Sequence, residues 1–348
     1  MIPHLRRRHV FPGAAALVTA GCAFPGASGP SGSKSATQLV FGTDGNVNVM
    51  ALDGSGRKAL TKVPQGGLAK DPAWSPDGKR IAYAYTPPLP AVRGPGGLLP
   101  LPVTGVYVMN ADGSNPQVTV PHESPGIGHE TPIWAPDGKS FYVTYSELIM
   151  ESNVVKDQVL EVARVTPGVA QRQTVIANGA FPALSADGRQ LACVVNARDG
   201  NALVLSTAEG KSQRTLIPAG QHDGLASPRF SPDGKQIAFT AIAPMAPIPT
   251  VTPLRRSGLD GLGALFGVRP AQAHGLPMDV FLISLDGGPA RRLTQLGEDS
   301  PTVAWSPDGK RIVILAGGGT YLMNADGSDF TNVDSKGGHG SIDWRLAQ

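Results

Sequence analysis

Cysteine is nearly absent from this 348-residue chain: there are two, Cys22 and Cys193. That excludes a disulfide framework and a multi-cysteine metal site, and it leaves Cys193, in the run Leu191-Ala192-Cys193-Val194, as a small buried apolar residue. Charge of one sign is also lacking. The formal excess of +3 equals the three arginines Arg6, Arg7 and Arg8 near the start, so the remainder is neutral, which argues against nucleic acid as a partner. No apolar run is long enough to span a bilayer, since the stretch from Val10 to Ala20 is too short. Three catalytic or metal signatures are missing as well: a Gly-x-Ser-x-Gly elbow, a His-x-x-x-His pair, and a loop of alternating acidic ligands closed by Glu.

What is present is a repeat. The segments WSPDGKRIAY from Trp74, WAPDGKSFYV from Trp134, LSADGRQLAC from Leu184, FSPDGKQIAF from Phe230 and WSPDGKRIVI from Trp305 are variants of one unit. Their turn aspartates, Asp77, Asp137, Asp187, Asp233 and Asp308, are spaced 60, 50, 46 and 75 residues apart. A basic unit of about 40–45 residues with insertions of unequal length is the period of propeller blades. Ser-Pro-Asp-Gly is a type I turn signal, with proline fixing φ and glycine taking the left-handed position that follows. Such a turn joins two antiparallel strands, the first ending in a bulky apolar residue and the second alternating at the strand period.

A third strand and a second acidic-Gly turn follow in VYVMNADGSN from Val106, LVLSTAEGKS from Leu203, VFLISLDGGP from Val280 and TYLMNADGSD from Thr320. An outer strand such as Arg292-Leu293-Thr294 completes the unit. The block at 146–175 keeps strands at Val159–Val165 and Arg172–Ile176 but has no Asp-Gly turn. At the ends, the segment from Gln38 has the last three strands of a unit, and Ser341-Ile342-Asp343-Trp344-Arg345-Leu346 has only the first. Together they make one blade. The expectation is an all-β fold, a six-bladed β-propeller of four-stranded antiparallel blades over 38–348, its ring closed by N- and C-terminal strands so that no sheet edge stays exposed. All four tryptophans fall in the repeat frame and read as core residues packing blade on blade.

The WSPDGKxIAF motif followed by a strand ending MNADGS resembles the TolB-type propeller repeat, which also builds the propeller domains of prolyl oligopeptidase relatives. The resemblance covers nearly everything from Gln38 onward. It implies the fold and leaves function open, because propellers host binding proteins and enzymes alike. The extra N-terminal domain of TolB has no counterpart between the leader and Gln38, and the hydrolase elbow of the peptidase relatives is missing.

Residues 1–21, with a basic start and a short apolar stretch, read as a secretion signal. Leu17-Val18-Thr19-Ala20-Gly21-Cys22 resembles the bacterial lipobox, which implies acylation of Cys22, and Arg7-Arg8 leaves the twin-arginine route open beside the general one. Residues 22–37, rich in Gly, Pro and Ser, read as a flexible tether. The chain is thus expected at the cell envelope, exported and membrane-anchored through lipid, as a monomer.

Candidate chemistry gathers in the connections that lead into the inner strands. His122, His129, His222 and His339 fall there, with Asp71, Glu123, Glu130, Asp223 and Asp299, while His274 lies elsewhere. Topology places such connections on one face around a central channel. The channel-rim set is therefore Asp71, His129, Glu130, His222, Arg229, Asp299 and His339. Imidazole and carboxylate suit a divalent metal, with His129, His222 and His339 as ligands, and related oligogalacturonate lyases hold a metal through channel histidines. The leading expectation is a non-catalytic module that binds an envelope protein or small ligand and needs no cofactor. The competing one is a metal-dependent lyase or hydrolase on carbohydrate, with Arg229 binding an acidic sugar. Two insertions, the Pro-rich segment from Thr86 to Val103 and the Leu/Gly-rich one from Ala243 to Met278, present apolar side chains for a partner or a membrane surface.

Overall fold

Six hydrophobic cores, each built by two neighbouring sheets, organise the molecule. The computed structural model describes residues 37–88, 92–94, 97–99, 103–122, 124–151, 154–169, 171–243 and 277–346. The leader, Cys22, nearly all of the tether, Glu123, His274 and most of both insertions lie outside them. Among the described residues there are strands and turns and no helix.

The sheets follow the repeat. The first joins β26 (Ile342–Leu346) to β1 (Thr37–Thr43), β2 (Asn46–Ala51) and β3 (Lys58–Ala59). The second is β4 (Leu68–Trp74), β5 (Arg80–Thr86), β8 (Val103–Asn110) and β9 (Gln117–Val120), with a hairpin of β6 (Val92–Gly94) and β7 (Gly97–Leu99) inside its insertion. The third is β10 (Ile127–Trp134), β11 (Phe141–Glu151), β12 (Val154–Val165) and β13 (Gln173–Ala177). A short parallel pairing of Val103–Thr104 with Ile127–Gly128 links the second and third. The fourth is β14 (Gly179–Leu184), β15 (Gln190–Ala197), β16 (Gly200–Thr207) and β17 (Arg214–Ile217). The fifth is β18 (Ala226–Phe230), β19 (Gln236–Ile242), β20 (Met278–Ser284) and β21 (Arg291–Arg292). The sixth is β22 (Thr302–Trp305), β23 (Arg311–Ala316), β24 (Gly319–Asn324) and β25 (Thr331–Asp334). Apart from that link, pairing within the sheets is antiparallel throughout.

Strand alternation sends successive side chains to opposite faces, and both faces here are buried. On β1, Leu39 and Phe41 enter the core shared with the sixth sheet, whereas Val40 enters the core shared with the second. On β19, Ile237 and Phe239 face the fourth sheet and Ala238 the sixth. The four tryptophans sit in these cores at 6–8% exposure. Trp134 and Trp305 each donate Nε1–H to a carbonyl of the preceding sheet in the chain, Ala73 O at 3.2 Å and Arg229 O at 3.1 Å. Each first strand touches the next: β4 with β10, β10 with β14, β14 with β18, β18 with β22, β22 with β26, and β26 with β4.

The turn chemistry is local and repeated. Ser75 Oγ donates to Asp77 Oδ1 at 2.6 Å and accepts from Arg80 N at 2.9 Å, while Gly78 takes φ +65°. Ser185, Ser231 and Ser306 do the same with Asp187, Asp233 and Asp308. Where the third sheet has Ala135 in place of that serine, Ser140 on the far side of the turn bonds Asp137 Oδ2 at 2.9 Å instead.

Two expectations need adjusting. The block at 146–175 is not a pair of short strands: β11 and β12 form an overlong hairpin that carries half-exposed Ile149 and Met150. The outer strand of the fifth sheet is only Arg291–Arg292, because Thr294 turns inward to bond Asp279 at 2.8 Å.

Candidate binding channel

Four of the six first strands carry a break shortly before their bulky frame residue. Asp71, Thr131, Phe181 and Ser227 hold φ near +50°, and each is followed by proline: Pro72, Pro132, Pro182 and Pro228. The ladder slips at these points, between Lys70 and Ala73, Glu130 and Ile133, Ala180 and Ala183, and Ala226 and Arg229. Proline has no N–H to lose at a bulge, and the extra residue re-aims the side chains after it. A left-handed residue before proline is disfavoured, and about 1–3 kcal/mol of strain at each site is typical of positions fixed for function.

The bulges aim side chains into a common space. A cavity of about 430 Å³ is lined from β4, β10, β14, β18 and β26, with Pro76, Pro136 and Ala186 of the turns at one end. The residue just before the bulky frame residue is Ala73, Ile133, Ala183, Arg229, Ala304 and Asp343 in the successive first strands. Four are apolar; Arg229 and Asp343 are the departures, and both line the cavity.

Asp343 fastens the chain ends to the second sheet. Its Oδ2 accepts from Trp74 N and its Oδ1 from Trp344 N, both at 2.8 Å. Burial pushes its carboxyl above the usual range, against those two bonds and the Arg229 charge. Asp71 is similar: burial raises it, Lys70 opposes, and its Oδ1 accepts from Ser341 N at 3.0 Å. At the chain-entry end of the strands, Lys70 Nζ stands 3.1 Å from Glu130 Oε1 and 3.9 Å from Asp71 Oδ2. Burial disfavours the Lys70 charge, yet the two carboxylates together hold its pKa above the ordinary value. Arg229 is half-buried against the cavity, and burial lowers its pKa despite Asp343 and Asp71.

Of the sequence-predicted rim, Arg229 lines this cavity, while Asp71 and Glu130 meet on Lys70 next to lining residues Pro72 and Thr131. The histidines do neither. His129 lies within β10 rather than in a rim connection, 2% exposed, edge-on to Tyr145 and with Nδ1 3.3 Å from Thr104 O. His222 packs edge-on against Phe281 and Phe239, and burial lowers its pKa. His339 is exposed, its backbone N–H bonded to Gly42 O. Asp299 accepts from Ser300 Oγ at 2.9 Å. Among the described residues no three His, Cys, Asp or Glu side chains are arranged to hold a metal ion, so the trio His129, His222 and His339 does not fit one. Sequence reasoning missed Lys70 and Asp343. Aligning the six first strands on their bulky frame residue, one column to the left, marks Arg229 and Asp343 at once.

The same arrangement of sheets occurs in solved structures. TolB from Acinetobacter baumannii superposes with a TM-score of 0.58 at 18% identity over 88% of this chain. A protein from Agrobacterium tumefaciens assigned as TolB gives 0.54 at 16% identity over 88% of this chain and 92% of its own. The fold is that of a TolB-like β-propeller. The chain spans 66% of the Acinetobacter protein, about two thirds of its length. A chain of a nidogen–laminin complex shares the TolB-like arrangement equally well, with a TM-score of 0.58 at 12% identity over 90% of this chain and 99% of its own, so the likeness is one of fold. No family model matches the sequence, and no curated protein does.

Proposed function

We propose that this chain is an exported, lipid-anchored six-bladed propeller that acts as a non-catalytic binding module at the cell envelope, taking its ligand or protein partner at the channel face. One observation carries the reading: the six first strands touch in cyclic order, and the cavity that five of them line breaks the repeat with Arg229 and Asp343. Six interfacial cores and the antiparallel pairing of β26 with β1 support a ring closed by the two ends of the chain. A repeat that is uniform in its turns and tryptophans, yet varied where it faces the channel, is the pattern of a scaffold carrying a site. The leader and Cys22 supply the anchor. The carbohydrate-enzyme alternative is not carried forward, because its metal ligands lie apart among the described residues.

Two measurements test this. Cells fed a labelled fatty acid should yield labelled protein in the membrane fraction, and Cys22→Ala should abolish the label and release the chain. A photocrosslinking amino acid at exposed His339, in the connection that leads into β26, should give a discrete adduct in cells. The same group at exposed Phe330, by the outer strand β25, should not. Identical adducts from both positions, or none from His339, would refute a partner at the channel face.

A further inference from the structure

Within the channel, Arg229 is short of partners. Among the described residues its guanidinium has one hydrogen bond, from Nη1 to Pro228 O at 2.9 Å. A guanidinium carries five N–H donors and stays charged in proteins. The carboxylates that share the space do not take up the remaining donors. Asp343 is bonded by two backbone N–H groups, and Asp71 is bonded by Ser341 N and lies beside Lys70. Neither forms an ion pair with Arg229, although each acts on it across the cavity. Those N–H groups and Lys70 offset the two negative charges locally.

The walls are of another character. Pro72, Pro132, Pro182, Ala73, Ala183 and Ile133 present apolar surface around the cation. At about 430 Å³ the space is within the range of small-molecule sites, which are mainly apolar with a few placed polar groups. A planar fork of donors is shaped to meet a carboxylate through two parallel hydrogen bonds. An apolar body behind that carboxylate would replace water against the prolines and alanines.

The geometry points to a small organic acid as the channel's ligand, its carboxylate on the Arg229 guanidinium and its apolar body against the proline- and alanine-lined wall. This rests on the reading of the channel as a binding site and names the chemistry it takes.

The test uses the detergent-solubilised full chain at constant ionic strength. Sodium benzoate, sodium acetate and neutral benzamide are each titrated while tryptophan fluorescence and heat of binding are followed. Benzoate should saturate, more tightly than acetate because of its apolar body, and benzamide should bind at least about tenfold more weakly. Arg229→Gln should weaken benzoate by about thirtyfold or more, and Arg229→Lys, which keeps the charge and loses the fork, should fall between. Circular dichroism and melting check that both variants fold; if Arg229→Gln does not, the benzoate–benzamide comparison on the native chain decides alone. The proposal is overturned if benzoate and benzamide titrate alike, if Arg229→Gln binds benzoate as the native chain does, or if benzoate shows no saturation up to about 50 mM, where even millimolar affinity is visible. A His339 adduct in cells without acid binding would sink this inference and leave the module reading standing. Acid binding without any adduct would do the reverse to the protein-partner half of that reading.

Discussion

Asp71 and Asp77 belong to the same strand and the turn that closes it, and their carboxyls shift in opposite directions. Asp77, at the solvent-facing turn, is held below the usual range chiefly by the Ser75 hydroxyl, and its equivalents Asp187, Asp233 and Asp308 are held down in the same way. Asp71, and Asp343 on the strand beside it, are pushed up by burial at the channel. The turn end of the inner strand is alike in four of the sheets, and solvent carries little risk there. At the channel end each sheet differs, charge is buried, and backbone strain at Asp71, Thr131, Phe181 and Ser227 accompanies it. Architecture is written in what repeats, and the site in what departs from the repeat.

The comparison is most severely tested where the two ends meet. Deleting 341–348 removes the strand that pairs with β1 and should leave a chain that aggregates rather than refolds, as seen in a sedimentation profile of the soluble fraction. Trp344→Ala in the same strand, a buried aromatic truncation at 6% exposure, should cost about 3–5 kcal/mol in denaturant unfolding. A truncated chain that melts with the full one would contradict closure.

A smaller loss is expected at the channel column. Asp343→Ala strands the Trp74 N–H inside the protein, and the penalty should be about 1–3 kcal/mol. Ala304→Gly in the same column, which removes one methyl, should cost about 1 kcal/mol. Equal losses at the two positions would mean that the charged departure has no fastening role.

At the turns the effects shrink again. Ser75→Ala should cost about 1 kcal/mol by removing the hydroxyl bonded to Asp77 and to Arg80 N. In the third sheet the sensitive serine should be Ser140 instead, since it takes over the bond to Asp137. Chemical denaturation of both single variants and of Ala135→Ser, expected neutral or slightly stabilising, checks this exchange.

The smallest effect is on pH dependence. A carboxyl raised in the folded state binds its proton more readily folded than unfolded, so Asp71 and Asp343 weaken the fold above their folded pKa values. That penalty is relieved as pH falls from those raised values toward the ordinary 3.8. The turn aspartates act the other way: their stabilisation is complete above 3.8 and is lost as pH falls through their lowered folded values. Asp343→Asn removes one channel carboxyl, so its melting temperature should fall more steeply with acidification than that of the native chain in the window above 3.8. Parallel pH profiles would show that Asp343 does not titrate in the direction burial dictates.

Much of the scaffold was legible in the sequence because its determinants are local. Ser-Pro-Asp-Gly turns, a bulky residue before each, and complementary chain ends located the strands, and the tryptophans proved to be core residues as read. The long β11–β12 hairpin was not legible, because Ser-Glu-Leu-Ile-Met-Glu carries no turn signal that would mark where the strand extends beyond the sheet. The site was only partly legible. Asp71, Glu130 and Arg229 were singled out from their place in the connections and inner strands, and of these Arg229 lines the cavity. The histidines shared that position in sequence, yet side-chain direction decides what meets across a channel: His129 points into packing against Tyr145, and His222 toward Phe281. Asp343 was overlooked because its segment was read only as the closing strand, when the column it occupies was already aligned.

Native-state hydrogen exchange of the backbone amides tests the central claim, a ring closed by the chain ends around the channel. Val40 of β1 and Asp343 and Arg345 of β26, whose amides bond across the closing ladder, should exchange only through global unfolding, with the same free energy as amides of β15 and β23 in the sheet interiors. Exchange of the β26 amides through local opening, while the other sheets stay protected, would show the ring to be open and the channel without a closed wall.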